Sequence, residues 1–172
     1  EPYRRQRQMC IRDSINFNTN APHCKLKSNF IRNVYEDSFQ RLWIVSEGGT
    51  DIIDLSTLQS VVPAAPRGVL SRLINQPAHT VILDSQGCIW LQCNNALHRI
   101  TFNAKGDIDT LSTLDLPELS EPDLTLKDID EDGKIWAGIN GTIYKIIPTD
   151  QGKLEKKTIS EPVSYTHLRA HE

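Results

Sequence analysis

The sequence has few aromatic residues, few cysteines and no excess of basic residues. Aromatic side chains make up 6% of its 172 residues, with 4 cysteines and 1 methionine. No apolar run approaches the roughly 18–20 residues that cross a bilayer as a helix. The 19 basic residues face 22 acidic ones, whereas a general nucleic-acid binder needs a basic face. We therefore expect no nucleic-acid partner and no membrane contact by this chain.

The cysteines predict neither a disulfide framework nor a metal site. Cys10 lies in an atypical N-terminal string, which leaves Cys24, Cys88 and Cys93. An odd number cannot pair completely, and no second Cys or His pair stands at zinc spacing. We interpret the three as small core or surface residues whose redox state stays open, and we expect no metal and no cofactor.

Both ends of the sequence differ in character from the part between them. Residues 1–14 hold four arginines with almost no apolar periodicity, and residues 163–172 read VSYTHLRAHE. Both strings resemble translated sequencing-adapter read-through. We therefore expect an artefactual or disordered leader and tail around one folded unit over residues 15–162.

A repeat runs through that unit and is marked by three tryptophans. They are Trp43, Trp90 and Trp136, at spacings of 47 and 46 residues. An Asp precedes each Trp by six residues, and a Gly precedes two of them by three residues, with Gln40 at that place in the first unit. These positions are Asp37, Asp84 and Asp130 for the acid, and Gly87 and Gly133 for the glycine. A period of this size predicts a repeat architecture.

Short apolar runs bounded by Asp, Asn, Ser and Gly fill each repeat unit, a pattern typical of strands joined by tight turns. Four antiparallel strands every ~40–50 residues is the pattern of a propeller blade. The sequence therefore predicts an all-β fold, a partial β-propeller of about three four-stranded blades near residues 29–62, 77–111 and 124–159. Fourth strands are expected at 58–62, 108–111 and 154–159, and one short helical turn at 68–74. Since propellers normally have at least four blades, we expect a fragment of a larger ring.

The repeated Trp has two possible roles, a core residue between blades or a platform on which a sugar ring stacks. A ligand-stacking Trp is expected at one special position rather than at the same place in every repeat. A large aromatic side chain in the gap between two twisted sheets also contributes much apolar burial. We therefore interpret the three as inter-blade core.

The string from Asp130 to Gly138, DEDGKIWAG, resembles the two-component regulator propeller repeat. Residues 28–37 also resemble the strand that leads into such a unit, and the resemblance covers roughly residues 29–159. The first unit departs from the repeat by Gln40 and by two extra turn residues, 48–49. The second departs by Gln92 and Cys93, where small residues are usual.

Such repeats form the periplasmic sensor region of hybrid two-component regulators of gut bacteria. The resemblance therefore implies a periplasmic or extracytoplasmic, non-catalytic sensor or scaffold. Its ligand would be an oligosaccharide, and its partners the remaining blades and signalling domains of a parent protein. Any kinase activity would lie in parts of the parent absent from this sequence.

Two other functions stay open, a secreted propeller lyase or glycosidase and a protein-interaction propeller of the WD type. No GxSxG motif occurs, no histidine has a nucleophile at motif spacing, and no catalytic residue is predicted.

The acids at 128, 130 and 132 before Gly133 resemble the opening of a calcium loop. Because Ile139 stands where that loop needs its twelfth-position acid, we interpret the segment as a hairpin turn.

Ligand contacts are expected on loops rather than on the repeated tryptophans. The candidate loops are 63–71, 75–79 and 116–123. Arg67, Arg72 and His79 are candidate contacts with hydroxyls or with a uronate. The alternative is that all three are solvated loop residues.

Overall fold

In a computed structural model, the described residues of the protein form three four-stranded antiparallel sheets and one short helix. The structure describes residues 16–21, 24–65, 69–117, 124–128, 134–139 and 141–160. In each sheet neighbouring strands along the chain are hydrogen-bonded neighbours. This is a nearly all-β partial propeller, and the predicted fold class is confirmed.

The strands follow the repeat. The first sheet contains β1 (Ile31–Glu36), β2 (Arg41–Ser46), β3 (Gly49–Asp54) and β4 (Gln59–Ser60). The second contains β5 (Ala78–Leu83), β6 (Ile89–Cys93), β7 (Ala96–Phe102) and β8 (Ile108–Asp115). The third contains β9 (Leu124–Asp128), β10 (Ile135–Ile139), β11 (Thr142–Pro148) and β12 (Leu154–Ser160). One short helix, α1 (Val69–Leu73), lies between the first two sheets in the chain.

The repeated Asp closes the turn between the first and second strands of a sheet. Oδ1 of Asp37 accepts from the backbone N–H groups of Phe39 and Arg41 at 2.9 and 3.1 Å. Oδ1 of Asp84 accepts two such bonds, both at 2.9 Å. Gly87 takes a left-handed backbone with φ +76°, and Gln40 adopts the same conformation with φ +57°. The turn therefore survives the departure at Gln40; Asp130 and Gly133 lie outside the described residues.

Two apolar cores lie between consecutive sheets. Trp43 packs with Leu91 of the second sheet, and Trp90 packs with Ala137 of the third. Both indoles are fully buried. Since each Trp faces the following sheet, Trp136 lies on the face of the third sheet that points away from the second, and it is only half-buried.

The six-residue Asp-to-Trp spacing has a direct cause in the structure. Oδ2 of Asp37 accepts from the indole N–H of Trp43 at 2.8 Å, and Asp84 does the same for Trp90 at 2.8 Å. One carboxylate thus closes a turn with one oxygen and satisfies a buried indole with the other. The first two units share this pair of contacts, which avoids a buried, unpaired indole N–H that would be destabilising.

The cation beside this carboxylate differs between the two sheets. Arg41 lies two residues before Trp43 and donates from Nε to Asp37 at 2.7 Å. In the second sheet the cation is Arg99 of β7, with its Nε 3.7 Å from Asp84. Arg41 also donates from Nη1 to the carbonyl of Gly106 at 2.6 Å. That last bond ties the first sheet to the β7–β8 turn of the second.

The other face of the first sheet is covered by the chain that precedes β1. Cys24 and Leu26 are buried against Ile44 and Ile53, and Phe17 packs at the edge of this cluster. The preceding segment therefore takes the position that a neighbouring sheet holds elsewhere in the molecule.

The three cysteines of the described residues are free and buried. Burial raises the pKa of the Cys93 thiol to about 12 and, with Asp84 nearby, that of the Cys88 thiol to about 11. Within the described ranges no helix is long and apolar enough to cross a membrane.

Candidate functional site

Two β-bulges mark the starts of β1 and β5, the first strands of the first and second sheets. The β1–β2 register shifts between Ile31 and Asn33, and the β5–β6 register shifts between Ala78 and Thr80. The bulged residues are Arg32 and His79, which stand 47 residues apart. This equals the Trp43–Trp90 spacing, so both occupy one position of the repeat. A bulge turns a side chain out of the regular alternation of the strand and is frequent beside functional sites.

The third sheet lacks this feature. The β9–β10 register runs without a shift from Leu124 opposite Ile139 to Asp128 opposite Ile135. The corresponding position there is Thr125. The bulge therefore distinguishes the first two sheets from the third, although all three share the repeat.

The two bulged side chains meet each other. Nη1 of Arg32 donates to Nδ1 of His79. Nη2 of Arg32 donates to Oε1 of Glu47 at 3.0 Å. Because a guanidinium has only donors, the His79 ring takes the acceptor role in this contact. We call these three residues the Arg32 cluster.

The Arg32 cluster lies at one end of the sheets. Antiparallel pairing puts the start of β1 beside the end of β2, and the start of β5 beside the end of β6. This end also carries the β2–β3 turn with Glu47 and the β6–β7 turn, whose Asn94 donates to Gln76 at 3.0 Å. The Glu47 side chain is 63% exposed and that of Arg32 29% exposed, so solvent reaches the cluster.

Lys27 fixes the turn that carries Glu47. Its ammonium donates to the carbonyls of Thr50 and Ile74 at 2.6 and 2.7 Å, and its backbone N–H donates to Asp51 at 2.9 Å. Burial lowers the pKa of the Lys27 ammonium, against the opposing effect of Asp51. Burial likewise raises the pKa of the Asp51 carboxyl, against the hydrogen bond and charge of Lys27. Lys27 thus joins the first sheet to the end of α1.

The extra turn glycine at position 49 is explained by the same close approach. Its φ is +123°, and a Cβ built on it would lie 2.4 Å from the carbonyl oxygen of Ile74. The backbone N–H of Thr50 donates to that carbonyl at 2.8 Å. A glycine therefore lets the β2–β3 turn reach the segment after α1.

The predicted ligand residues occupy three different settings. His79 lies within β5, which begins at Ala78, so the expected loop at 75–79 is wrong at its last two residues. Arg72 is exposed in the last turn of α1, within the helical turn expected at 68–74 and one residue beyond the candidate loop 63–71. Arg67 lies outside the described residues. The structure brings His79 together with Arg32 and Glu47, which sequence reasoning did not select.

The described residues contain no group of three or more side chains placed to hold a metal ion. Most of the calcium-like segment, including its positions 130, 132 and 133, lies outside those residues.

His98 pairs with Thr113 through Nδ1 at 2.9 Å. Burial lowers the pKa of His98 to about 4, against the opposing charge of Asp115. What the Arg32 cluster offers chemically is hydrogen-bond donors, one acceptor carboxylate and one imidazole.

Comparison with known families identifies one repeat. Residues 25–48 match the family described as "Two component regulator propeller". The matched segment contains Arg32, Glu47, and the Asp37 to Trp43 spacing. The resemblance found in the sequence is confirmed over this unit. No curated protein matches the sequence.

Solved structures share the fold. The extracellular domain of a hybrid two component system from B. thetaiotaomicron matches with a TM-score of 0.57 and 22% identity, over 81% of this chain and 18% of that chain. A streptogramin B lyase matches with a TM-score of 0.50 and 17% identity, over 81% of this chain and 44% of that one. At such identities the likeness shows the propeller fold, and this chain spans less than half of either protein.

Proposed function

We propose that this chain is a non-catalytic, ligand-binding part of the extracytoplasmic propeller of a two-component regulator, and that its ligand is an oligosaccharide. The observation that carries the proposal is the match of residues 25–48 to the two component regulator propeller family. That segment supplies two of the three members of the Arg32 cluster.

The geometry of the cluster supports binding. Sugar hydroxyls are recognised by planar polar groups with several donors and acceptors, and Arg32, His79 and Glu47 provide these at a solvent-accessible end of the sheets. The β-bulges and the Lys27 contacts fix the backbone that carries the cluster, so Arg32 and His79 start from defined positions. Preorganised groups lose less conformational entropy when a ligand binds.

Calorimetric titration of the 172-residue chain with a panel of neutral and acidic oligosaccharides tests the proposal. We expect saturable binding to at least one of them, weakened by Arg32→Ala. Lys105→Ala is the matched control, because Lys105 is an exposed cation in the β7–β8 turn, at the opposite end of the second sheet. Absence of binding across the panel, or equal binding by both variants, would contradict the proposal.

A propeller enzyme is the alternative that the fold likeness to a streptogramin B lyase raises. An enzyme would convert the oligosaccharide into a product, whereas a sensor would leave it unchanged. Mass spectrometry of the same oligosaccharides after long incubation with the chain should show unchanged substrate, and a cleaved or eliminated product would overturn the assignment as a sensor.

A further inference from the structure

We infer that the ligand carries a carboxylate, and that this carboxylate replaces Glu47 on the guanidinium of Arg32 when a uronate-containing saccharide binds. The inference rests on the proposed function and narrows it to acidic saccharides. It names Arg32 as the specificity-determining residue and Glu47 as a competing internal ligand.

The first step is the contact between Arg32 and Glu47. The carboxylate of Glu47 lies 3.0 Å from Nη2, so this side of the guanidinium already pairs with a carboxylate in the structure. Arg is the side chain best suited to planar recognition of carboxylates, since its donors form a rigid fork. A uronate carboxylate has the same geometry as the carboxylate of Glu47.

The side chain of Glu47 is easily displaced from Arg32. Its side chain is 63% exposed, against 29% for Arg32, so it can leave for solvent while Arg32 stays. Exposed ion pairs contribute little to stability and are screened by salt. Release of Glu47 therefore opposes ligand binding only weakly.

Arg32 stays in place while one carboxylate replaces another on its guanidinium. The contact of Nη1 with the His79 ring occupies the other branch of the guanidinium, and both residues sit in bulges of neighbouring sheets. His79 acts here as a positioning residue. Phe30, which precedes β1 and is 75% exposed, adds an apolar surface close in sequence of the kind on which sugar rings pack.

The experiment compares a galacturonic acid trisaccharide with its fully methyl-esterified form, which keeps the ring structure and loses the charge. Calorimetry on the whole chain should show the acid binding at least about ten-fold more tightly than the ester. Arg32→Gln should remove this preference. Glu47→Gln should strengthen binding of the acid about two- to five-fold, because the competing carboxylate is gone. Lys105→Gln should leave both affinities unchanged.

His79→Ala separates positioning from general damage. It should weaken binding of the acid while leaving thermal stability near that of the unaltered chain, since the cluster is solvent-accessible. His79→Asn, which can place an amide acceptor near Arg32, should restore part of the affinity. Loss of stability parallel to loss of affinity would assign His79 a structural role and overturn this step.

Other outcomes separate the inference from the proposed function. Equal affinity for acid and ester overturns the carboxylate assignment and leaves oligosaccharide binding intact. Tighter binding of a sulfated galactose trisaccharide than of the uronate also overturns it. Competition by inorganic sulfate at equal concentration would show a simple anion site. No binding of any saccharide would remove both the inference and the proposed function.

Discussion

Replacement of Asp37 by Asn tests the contact network that connects the repeat to the core. The Asp37 side chain is fully buried and that of Arg41 is 9% exposed. Oδ2 accepts from Nε of Arg41 at 2.7 Å and from the indole N–H of Trp43 at 2.8 Å. Asn can keep the oxygen that closes the turn, but its NH₂ group would then face these two donors.

The expected loss follows from these contacts. Removing one partner of a buried ion pair costs about 3–5 kcal/mol, because the other charge stays buried. We therefore expect Asp37→Asn to lower the free energy of unfolding by about 3–5 kcal/mol. For Asp84→Asn we expect about 1.5–3 kcal/mol, since Arg99 lies at 3.7 Å and mainly the Trp90 bond is lost.

Urea unfolding followed by tryptophan fluorescence measures both values. Glu36→Gln is the control, because Glu36 is an exposed carboxylate directly before Asp37. Adding Arg41→Met to Asp37→Asn removes the unpaired charge and should recover roughly 1–2 kcal/mol, so the two substitutions should be non-additive. A cost for Asp37→Asn no greater than that of Asp84→Asn or of Glu36→Gln would refute the argument.

Three further predictions concern packing, backbone and pH. In single-tryptophan variants, acrylamide should quench Trp136 more strongly than Trp43, because only the latter is enclosed between two sheets; equal quenching would contradict this. Gly49→Ala should destabilise the chain by about 1–3 kcal/mol more than Gly152→Ala in thermal melts, since Gly152 also has a positive φ but has nothing within 4 Å of a built Cβ. Burial lowers the pKa of His98 to about 4 from 6.5, so the unfolded chain binds more protons between these values and stability should fall as the pH is lowered through that window. His98→Gln should flatten this part of the urea-midpoint profile, and an unchanged slope would contradict it.

Much of the fold could be predicted from local patterns. The fourth strands were expected at 108–111 and 154–159 and occur as β8, from Ile108 to Asp115, and β12, from Leu154 to Ser160. The short helix expected within 68–74 occurs as α1. Strand β4 is shorter than expected, with two residues, Gln59 and Ser60. Alternation, turn residues and repeat spacing are local properties, which is why they were accessible from the sequence.

The candidate site could be predicted less well from the sequence. His79 was selected as a loop residue, and the structure places it in a bulged strand beside Arg32. A bulge depends on how one strand pairs with another, which periodicity within a single strand does not encode. The 47-residue spacing from Arg32 to His79 is a signal that could have linked the two, since it is also the spacing from Trp43 to Trp90.

By itself the sequence determined the repeat, and with it the Asp turn and the Trp that follows six residues later, because one carboxylate serves both within a few residues of chain. Tertiary structure decided which cation joins that carboxylate, Arg41 from the same strand or Arg99 from the neighbouring one. It also decided that Arg32 and His79 touch, because only the packing of consecutive sheets brings one repeat position beside the next. The local pattern builds each sheet, and the contacts that form the candidate site arise where two sheets meet.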